Sequence, residues 1–288
     1  MELTNLSVIR SLCEKYGFGF SKTLGQNFLV NAAIPPKIAK EAEIDGKFVV
    51  EIGPGFGCLT KELCKRAKKV AAIELDSTLL PVLNETLAEF DNLEIINDDI
   101  LNVNLSALCE KNGEKSVYIC ANLPYYITTP IVMHLLESEA PVKSITVMVQ
   151  KELARRFVSL PGSPDYGAVT ASVAYYTNPK LLFGVSAGSF YPAPKVDSAV
   201  IRLDVIPENE RIPVKDRETF FRVIRAAFAM RRKTLVNNLS SGFAIAKSEA
   251  ADILSSLSIP VSARGETLGI EDFARISDKI EEKRISAL

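Results

Sequence analysis

The sequence predicts an α/β fold: a mostly parallel, doubly wound sheet with an antiparallel edge strand, followed by a small all-helical domain. Three observations carry that expectation. The stretch FVVEIGPGFGCL (48–59) joins an apolar strand to a turn with Gly53, Gly55 and Gly57, then to a segment with Leu59 and Leu63 at helical spacing. Strand, glycine turn and helix in that order open a nucleotide-binding α/β unit. Seven segments read as strands, with helical segments between the first five, as crossover connections require. Beyond the turn-rich IPENERIP (206–213), apolar residues such as Phe220, Val223, Ile224, Ala227 and Phe228 keep only helical spacing. The expected division is an α/β domain over 1–206 and a helical domain over 207–288.

Taken in order, residues 3–16 form a weakly helical pattern through Leu3, Leu6, Ile9, Leu12 and Cys13. A polar, irregular segment at 18–30 ends in apolar Phe28, Leu29 and Val30, which favour folding back onto the body. A helix at 31–43 leads into the strand 48–52. The second strand, 70–73, ends in Glu74, with Asp76 as cap for a helix at 77–89. The third, 93–97, ends in Asp98 and Asp99, and the fourth, 117–121, runs into NLPYY (122–126). A helix at 128–138 and a fifth strand at 144–149 follow. The segment 168–177 reads equally as helix or strand, and strands near 179–186 and 197–205 form a hairpin. Helices at 233–241, 247–256 and 271–284 complete the second domain.

Composition narrows the chemistry. The 288 residues are 47% hydrophobic and 24% charged, enough for a sizeable core. A formal net charge of −1 argues against coating nucleic acid nonspecifically. Five cysteines lack a Cys-x-x-Cys pair and no signal peptide precedes them, which suits reduced thiols in the cytoplasm. A single histidine, His134, lies on an apolar helical stretch, so neither a histidine triad nor a zinc site is expected, and no metal. The longest uncharged run, 116–136, contains Asn122, Pro124 and Pro130 and is rejected as a membrane span.

The glycine turn has Cys58 where a dinucleotide fingerprint has its last glycine. A cofactor with a ribose but no pyrophosphate, such as S-adenosylmethionine, therefore suits it better than NAD. Glu74 stands 21 positions after Gly53, where an acid accepts hydrogen bonds from both ribose hydroxyls. An acid at the end of the third strand lies beside the adenine pocket, a role assigned to Asp99 over a helix cap.

In NLPYY, the amide oxygen of Asn122 and a carbonyl near Leu123 can accept the two N–H bonds of an adenine N6. They would turn its lone pair toward a methyl donor. Pro124 stiffens the turn and removes a competing N–H, and Tyr125 can stack on a base taken out of its helix. Eight Lys and Arg stand against two Asp and Glu in 211–234, a net of +6. A solvated helix face explains such a run, but its place beside the domain junction favours a phosphate-binding face through Arg222, Arg225, Arg231, Arg232 and Lys233.

GQNFL (25–29), EIGPGFGCLT (51–60), NLPYY (122–126), QKELARR (150–156) and FYPAPKVDSAV (190–200) together resemble the rRNA adenine N6-dimethyltransferases. RRKTLVNNL (231–239) extends the resemblance over almost the whole chain. It implies a Rossmann-like S-adenosylmethionine-dependent methyltransferase that dimethylates two adjacent adenosines near the 3′ end of small-subunit (16S) rRNA, inside an assembling 30S particle. It further implies that Asn27 and Leu29 cover the cofactor, that Gly53 lines its methionine end, and that Glu74 holds the ribose, with Gly55 of the glycine turn also counted as cofactor-binding. By the same likeness Asp99 binds the adenine, Asn122 serves donor and target, and Phe190 closes over the target base opposite Tyr125. Relatives acting on large-subunit (23S) rRNA are often strongly basic, whereas this chain has a pI of about 6.1. A large-subunit methyltransferase and a non-catalytic assembly factor are the alternatives.

Overall fold

The computed structural model describes residues 1–17, 27–138 and 140–286. In chain order the elements are α1 (Leu6–Tyr16), β1 (Phe28–Leu29), α2 (Ile34–Glu41), β2 (Phe48–Ile52), α3 (Cys58–Cys64), β3 (Lys69–Glu74), α4 (Leu80–Thr86), β4 (Leu93–Asn97), α5 (Leu105–Lys111), β5 (Val117–Asn122), α6 (Thr128–Glu137) and β6 (Val142–Gln150). There follow α7 (Lys151–Val158), α8 (Ala168–Tyr176), β7 (Thr177–Val185), β8 (Phe190–Tyr191), β9 (Ser198–Val205), α9 (Arg217–Ala227), α10 (Leu235–Phe243), α11 (Lys247–Ser256) and α12 (Ile270–Ser286).

Seven strands form one sheet in the order β4-β3-β2-β5-β6-β9-β7, and β1 pairs with β8 in a separate ribbon. The first five strands are parallel, and β9 runs antiparallel to β6. The mostly parallel sheet with an antiparallel edge is thus as expected. Every residue of β2 is buried, as a central strand covered on both faces must be. Helix boundaries follow their caps. Helix α1 begins at Leu6, later than the apolar pattern suggests, because the Asn5 side chain accepts from the Ser7 N–H. Its Ile9 and Leu12 pack into a cluster with Phe28, Phe56, Leu79, Val82 and Leu83.

By contact the chain divides into two compact units, 1–154 with 179–205 and 155–178 with 206–288. The division expected at 206/207 places 155–178 in the first domain; here they belong with the helical unit. Aromatic packing explains the difference. Tyr175 lies 4.8 Å from Phe220 between ring centroids, and Tyr176 stacks on Phe221 at 5.5 Å. The Tyr166 hydroxyl donates to the Leu268 carbonyl at 2.9 Å. Segment 168–177, ambiguous in sequence, is helical to Tyr176. The helix stops where the Thr177 backbone turns extended and its hydroxyl donates to the Val173 carbonyl at 2.9 Å. Among the described residues no helix is long and apolar enough to cross a membrane.

Gly57 enters α3 at φ +85°, and a Cβ there would lie 2.9 Å from Leu87 Cδ1. A left-handed backbone costs an L-residue about 1–2 kcal/mol before any clash is added. Gly57→Ala should therefore lower unfolding stability by about 2 kcal/mol or more in urea titration; an unchanged midpoint would show that the turn relaxes freely.

Candidate active site

The sheet register sets the site. Ile52 pairs with both Ile73 and Ala121, and Glu74 pairs with Asn97. Gly53, Glu74 and Asn122 therefore each stand one residue past a common rung, with Asp98 and Asp99 just beyond the neighbouring strand. Parallel strands ending level leave their carboxyl ends open, the usual ligand crevice of such sheets. An open pocket of about 1230 Å³, including space open to solvent, lies there. Asn27, Leu29, Gly53, Gly55, Glu74, Asp99, Asn122, Leu123, Pro124 and Tyr125, all expected at the site, line it.

Glu74 is buried, with its Oε1 accepting from Asp76 N–H at 2.9 Å and Oε2 from Gly55 N–H at 3.3 Å. These bonds aim a carboxylate at the pocket while tying it to the glycine turn. Burial raises the Glu74 pKa above the usual carboxylate range. Gly53 adopts φ +67° with open space where a Cβ would stand, so bare backbone faces the pocket. Asp99 caps the turn after β4, its Oδ1 accepting from Leu101 N–H at 3.0 Å, so the cap reading and the pocket reading hold together.

Asn122 ends β5. Its Nδ2 donates to the Asn27 carbonyl at 3.3 Å, which turns Oδ1 the other way. The Pro124 carbonyl accepts from Thr128 Oγ1 at 3.1 Å and from Ile127 N–H at 3.2 Å, pinning the loop to the start of α6. The Tyr125 hydroxyl lies 2.8 Å from Ser198 Oγ.

Glu51 was not among the residues singled out in the sequence. It lines the pocket from inside β2, its Oε2 is buried without a hydrogen-bond partner among the described residues, and burial pushes its carboxyl up to about 8. An acid alone in an otherwise apolar strand, two residues before a glycine turn, is the signal that could have found it. A buried acceptor without a donor invites one from a ligand. Glu74 toward a diol and Glu51 toward an ammonium group together fit S-adenosylmethionine, which carries both. Cys58 also lines the pocket, and burial pushes its thiol up to about 12. Among the described residues no group of three or more His, Cys, Asp or Glu could hold a metal ion.

Two expectations need correction. Phe190 is not brought to the pocket: it pairs with Leu29 and is 3% exposed, in a core cluster with Val185 and Val200. Successive side chains of a strand face opposite ways, and it is the neighbouring Tyr191 that looks outward, 5.5 Å beneath the Arg10 guanidinium. In the helical unit, several basic side chains at 211–234 are already hydrogen-bonded or paired within the unit. Arg222 donates to the Gly242 carbonyl at 2.8 Å and lies over the Phe243 ring, while Arg231 donates to the Pro164 carbonyl at 2.7 Å. Lys215 and Arg217 pair with Glu282 and Glu208, and Arg211 donates to the Ile206 carbonyl. Arg225, Arg232 and Lys233 are exposed, with no side-chain partner among the described residues.

Comparison with known proteins places the chain in a family. A family model described as ribosomal RNA adenine dimethylase matches residues 17–282. The chain is similar to ribosomal RNA small subunit methyltransferase A of Bacillus pumilus, with 46% identity over 94% of this chain and 95% of the relative. Among solved structures it is similar to a dimethyladenosine transferase from Plasmodium falciparum, with 26% identity, TM-score 0.75, and coverage of 89% of this chain and 98% of that one. It is also similar to the 23S rRNA methyltransferase ErmE, with 26% identity, TM-score 0.69, and coverage of 88% and 100%.

Glu51 makes stability depend on pH with a definite sign. With its folded pKa near 8, the native state keeps a proton that the unfolded chain releases near pH 4–5. Stability should fall as pH rises through that window, by at most about 1.4 kcal/mol per pH unit, and level off above it. Glu74 contributes in the same direction. Urea unfolding of ligand-free protein from pH 5 to 8 should show a shallower decline in Glu51→Gln than in the parent. Parallel curves would mean that Glu51 ionises at no cost.

Proposed function

The chain belongs to the ribosomal RNA adenine dimethylase family, and on that premise we propose that it dimethylates N6 of two adjacent adenosines near the 3′ end of small-subunit rRNA. The substrate is an assembling 30S particle in the cytoplasm, and the methyl donor is S-adenosylmethionine. The observation that carries this reading is Asn122: tied through Nδ2 to the Asn27 carbonyl, it presents an acceptor oxygen at the mouth of a pocket that Glu74 and Asp99 line.

The donor supplies a methyl group on a sulfonium centre, already activated for transfer. The protein's work is then to hold a weak nucleophile in line, since the N6 lone pair is delocalised into the adenine ring. Asn122 Oδ1 would accept a hydrogen bond from one N6–H and the Leu123 carbonyl from the other; as the methyl–sulfur bond breaks and the new N6–carbon bond forms, the proton lost from N6 passes to solvent. Pro124, lacking an N–H, offers no competing donor. Tyr125 stacks on the extruded base. Among the described residues lining the pocket there is no Lys or His, which suits catalysis by positioning and oriented dipoles rather than by a strong base. A monomethylated amine keeps one N–H, so the same Asn122 contact serves both transfers.

Identity favours the small subunit: the relative named for it is 46% identical, against 26% for the 23S enzyme. The fold likeness to that enzyme makes large-subunit rRNA the second reading. Labelled methyl transfer to purified, unmethylated 30S and 50S subunits, followed by nucleoside analysis, tests the choice. Dimethyladenosine in 30S rRNA alone is expected, and label in 50S alone would overturn the reading.

Asn122→Ala should leave the fold intact, because the residue ends a strand. Loss of one oriented polar contact costs about 2.7–4 kcal/mol in comparable sites, a rate loss of roughly 100- to 1,000-fold. Single-turnover methylation at saturating donor measures it, and a variant within about threefold of the parent would mean that another group holds the amine.

Arg225, Arg232 and Lys233 are assigned to the RNA backbone. Reversing Arg225 and Arg232 to Glu should weaken 30S binding and lower the log–log salt slope by roughly one per lost phosphate contact. Arg222→Glu, by contrast, should lower stability through the Gly242 contact and leave the slope alone. An unchanged slope in the double variant would return these side chains to plain solvation.

A further inference from the structure

FYPAPKVDSAV carries much of the family likeness, and the geometry gives one of its residues a role at the active-site loop. Ser198 opens β9 and is wholly buried, with its Oγ 2.8 Å from the Tyr125 hydroxyl. The serine is itself held in place. It pairs with Gln150 in the β6–β9 ladder, and its neighbour Asp197 is tied on both sides. The Asp197 carbonyl accepts from Lys151 N–H at 3.0 Å, and its Oδ1 accepts from Ala187 N–H at 3.1 Å. At the other end of the tyrosine, the Pro124 carbonyl is fixed by Thr128 and Ile127. The half-buried Tyr125 ring is therefore tethered at its para position and follows a backbone carbonyl that is itself held. Burial raises the phenol's pKa, so the group stays a neutral donor or acceptor.

We propose that Ser198 is a positioning residue for methyl transfer: by holding the Tyr125 hydroxyl it fixes the plane on which the target adenine stacks. The proposal rests on the reading of Tyr125 as the stacking residue. Ser198 touches no substrate, being buried. A serine present only to satisfy a buried phenol would affect stability and nothing else.

A double-mutant cycle separates the two. Single-turnover methylation of unmethylated 30S subunits, at saturating S-adenosylmethionine and normalised to folded protein, is measured for Ser198→Ala, Tyr125→Phe and the pair. Each single change removes the same hydrogen bond and should slow transfer roughly 3- to 10-fold. KM for the subunits should change little, and the double variant should be no slower than the slower single. A parent-like rate in either single variant, or a double variant that loses the product of both, overturns the proposal. If Ser198→Ala fails to fold, Tyr125→Phe still decides. Relaxation of ¹³C-labelled tyrosine needs no substrate and should show a more mobile Tyr125 ring in Ser198→Ala; an unaltered ring overturns the proposal. Wild-type protein that leaves 30S subunits unlabelled rejects the proposed substrate, while the relaxation measurement still judges Ser198.

Discussion

Everything at the site depends on the register that holds β2 between β3 and β5. Because Ile52 is level with Ile73 and with Ala121, three strands release their chains at one height. A bare glycine turn, a carboxylate and an amide emerge there side by side. Shifting either ladder by one residue would move Glu74 or Asn122 by about 3.3 Å and turn its side chain to the opposite face. The ladder is secured by complete burial of β2, whose apolar side chains can face no other way without exposing core. Stability and site geometry are therefore one constraint, enforced by the same five residues.

Around this rigid frame the polar groups differ in how firmly they are held. Glu74 is bound by two backbone donors, and Asn122 by one carbonyl across the pocket. Glu51 has one buried oxygen without a hydrogen-bond partner among the described residues. Such an arrangement keeps the orientation of the reacting groups independent of the ligand and leaves one unsatisfied acceptor for the ligand to complete. Pre-organised partners lose little freedom on binding, so more of the interaction shows as affinity and rate.

The sheet and most of the pocket were legible in the sequence, because fully buried strands and glycine turns announce themselves locally. Gly53, Glu74 and Asn122 each follow directly on an apolar run, which marks the strand end. What local pattern could not show were the long-range pairings. The Gly242 carbonyl lies 20 residues from Arg222, and no count of charges reveals that the guanidinium is already engaged there. Tyr175 and Tyr176 read equally well as strand or helix until Phe220 and Phe221 are seen against them. Phe190 had the right neighbours in its motif, but a strand of two residues has too short a pattern to tell which side faces the core. Glu51 is masked by its strand: within an apolar run an acid at one position fits the alternation of faces, and only the sheet on both sides of β2 shows that it is buried.

The thiol on the pocket wall has a consequence for chemical durability. Only a thiolate attacks electrophiles or disulfides, and with Cys58 pushed up to about 12 the anion is almost absent near neutrality. The other four cysteines are displaced the same way, each chiefly by burial. Burial thus keeps these sulfurs mostly in the thiol form, the less nucleophilic of the two. The pocket wall therefore carries a sulfur that burial holds in its weakly nucleophilic form.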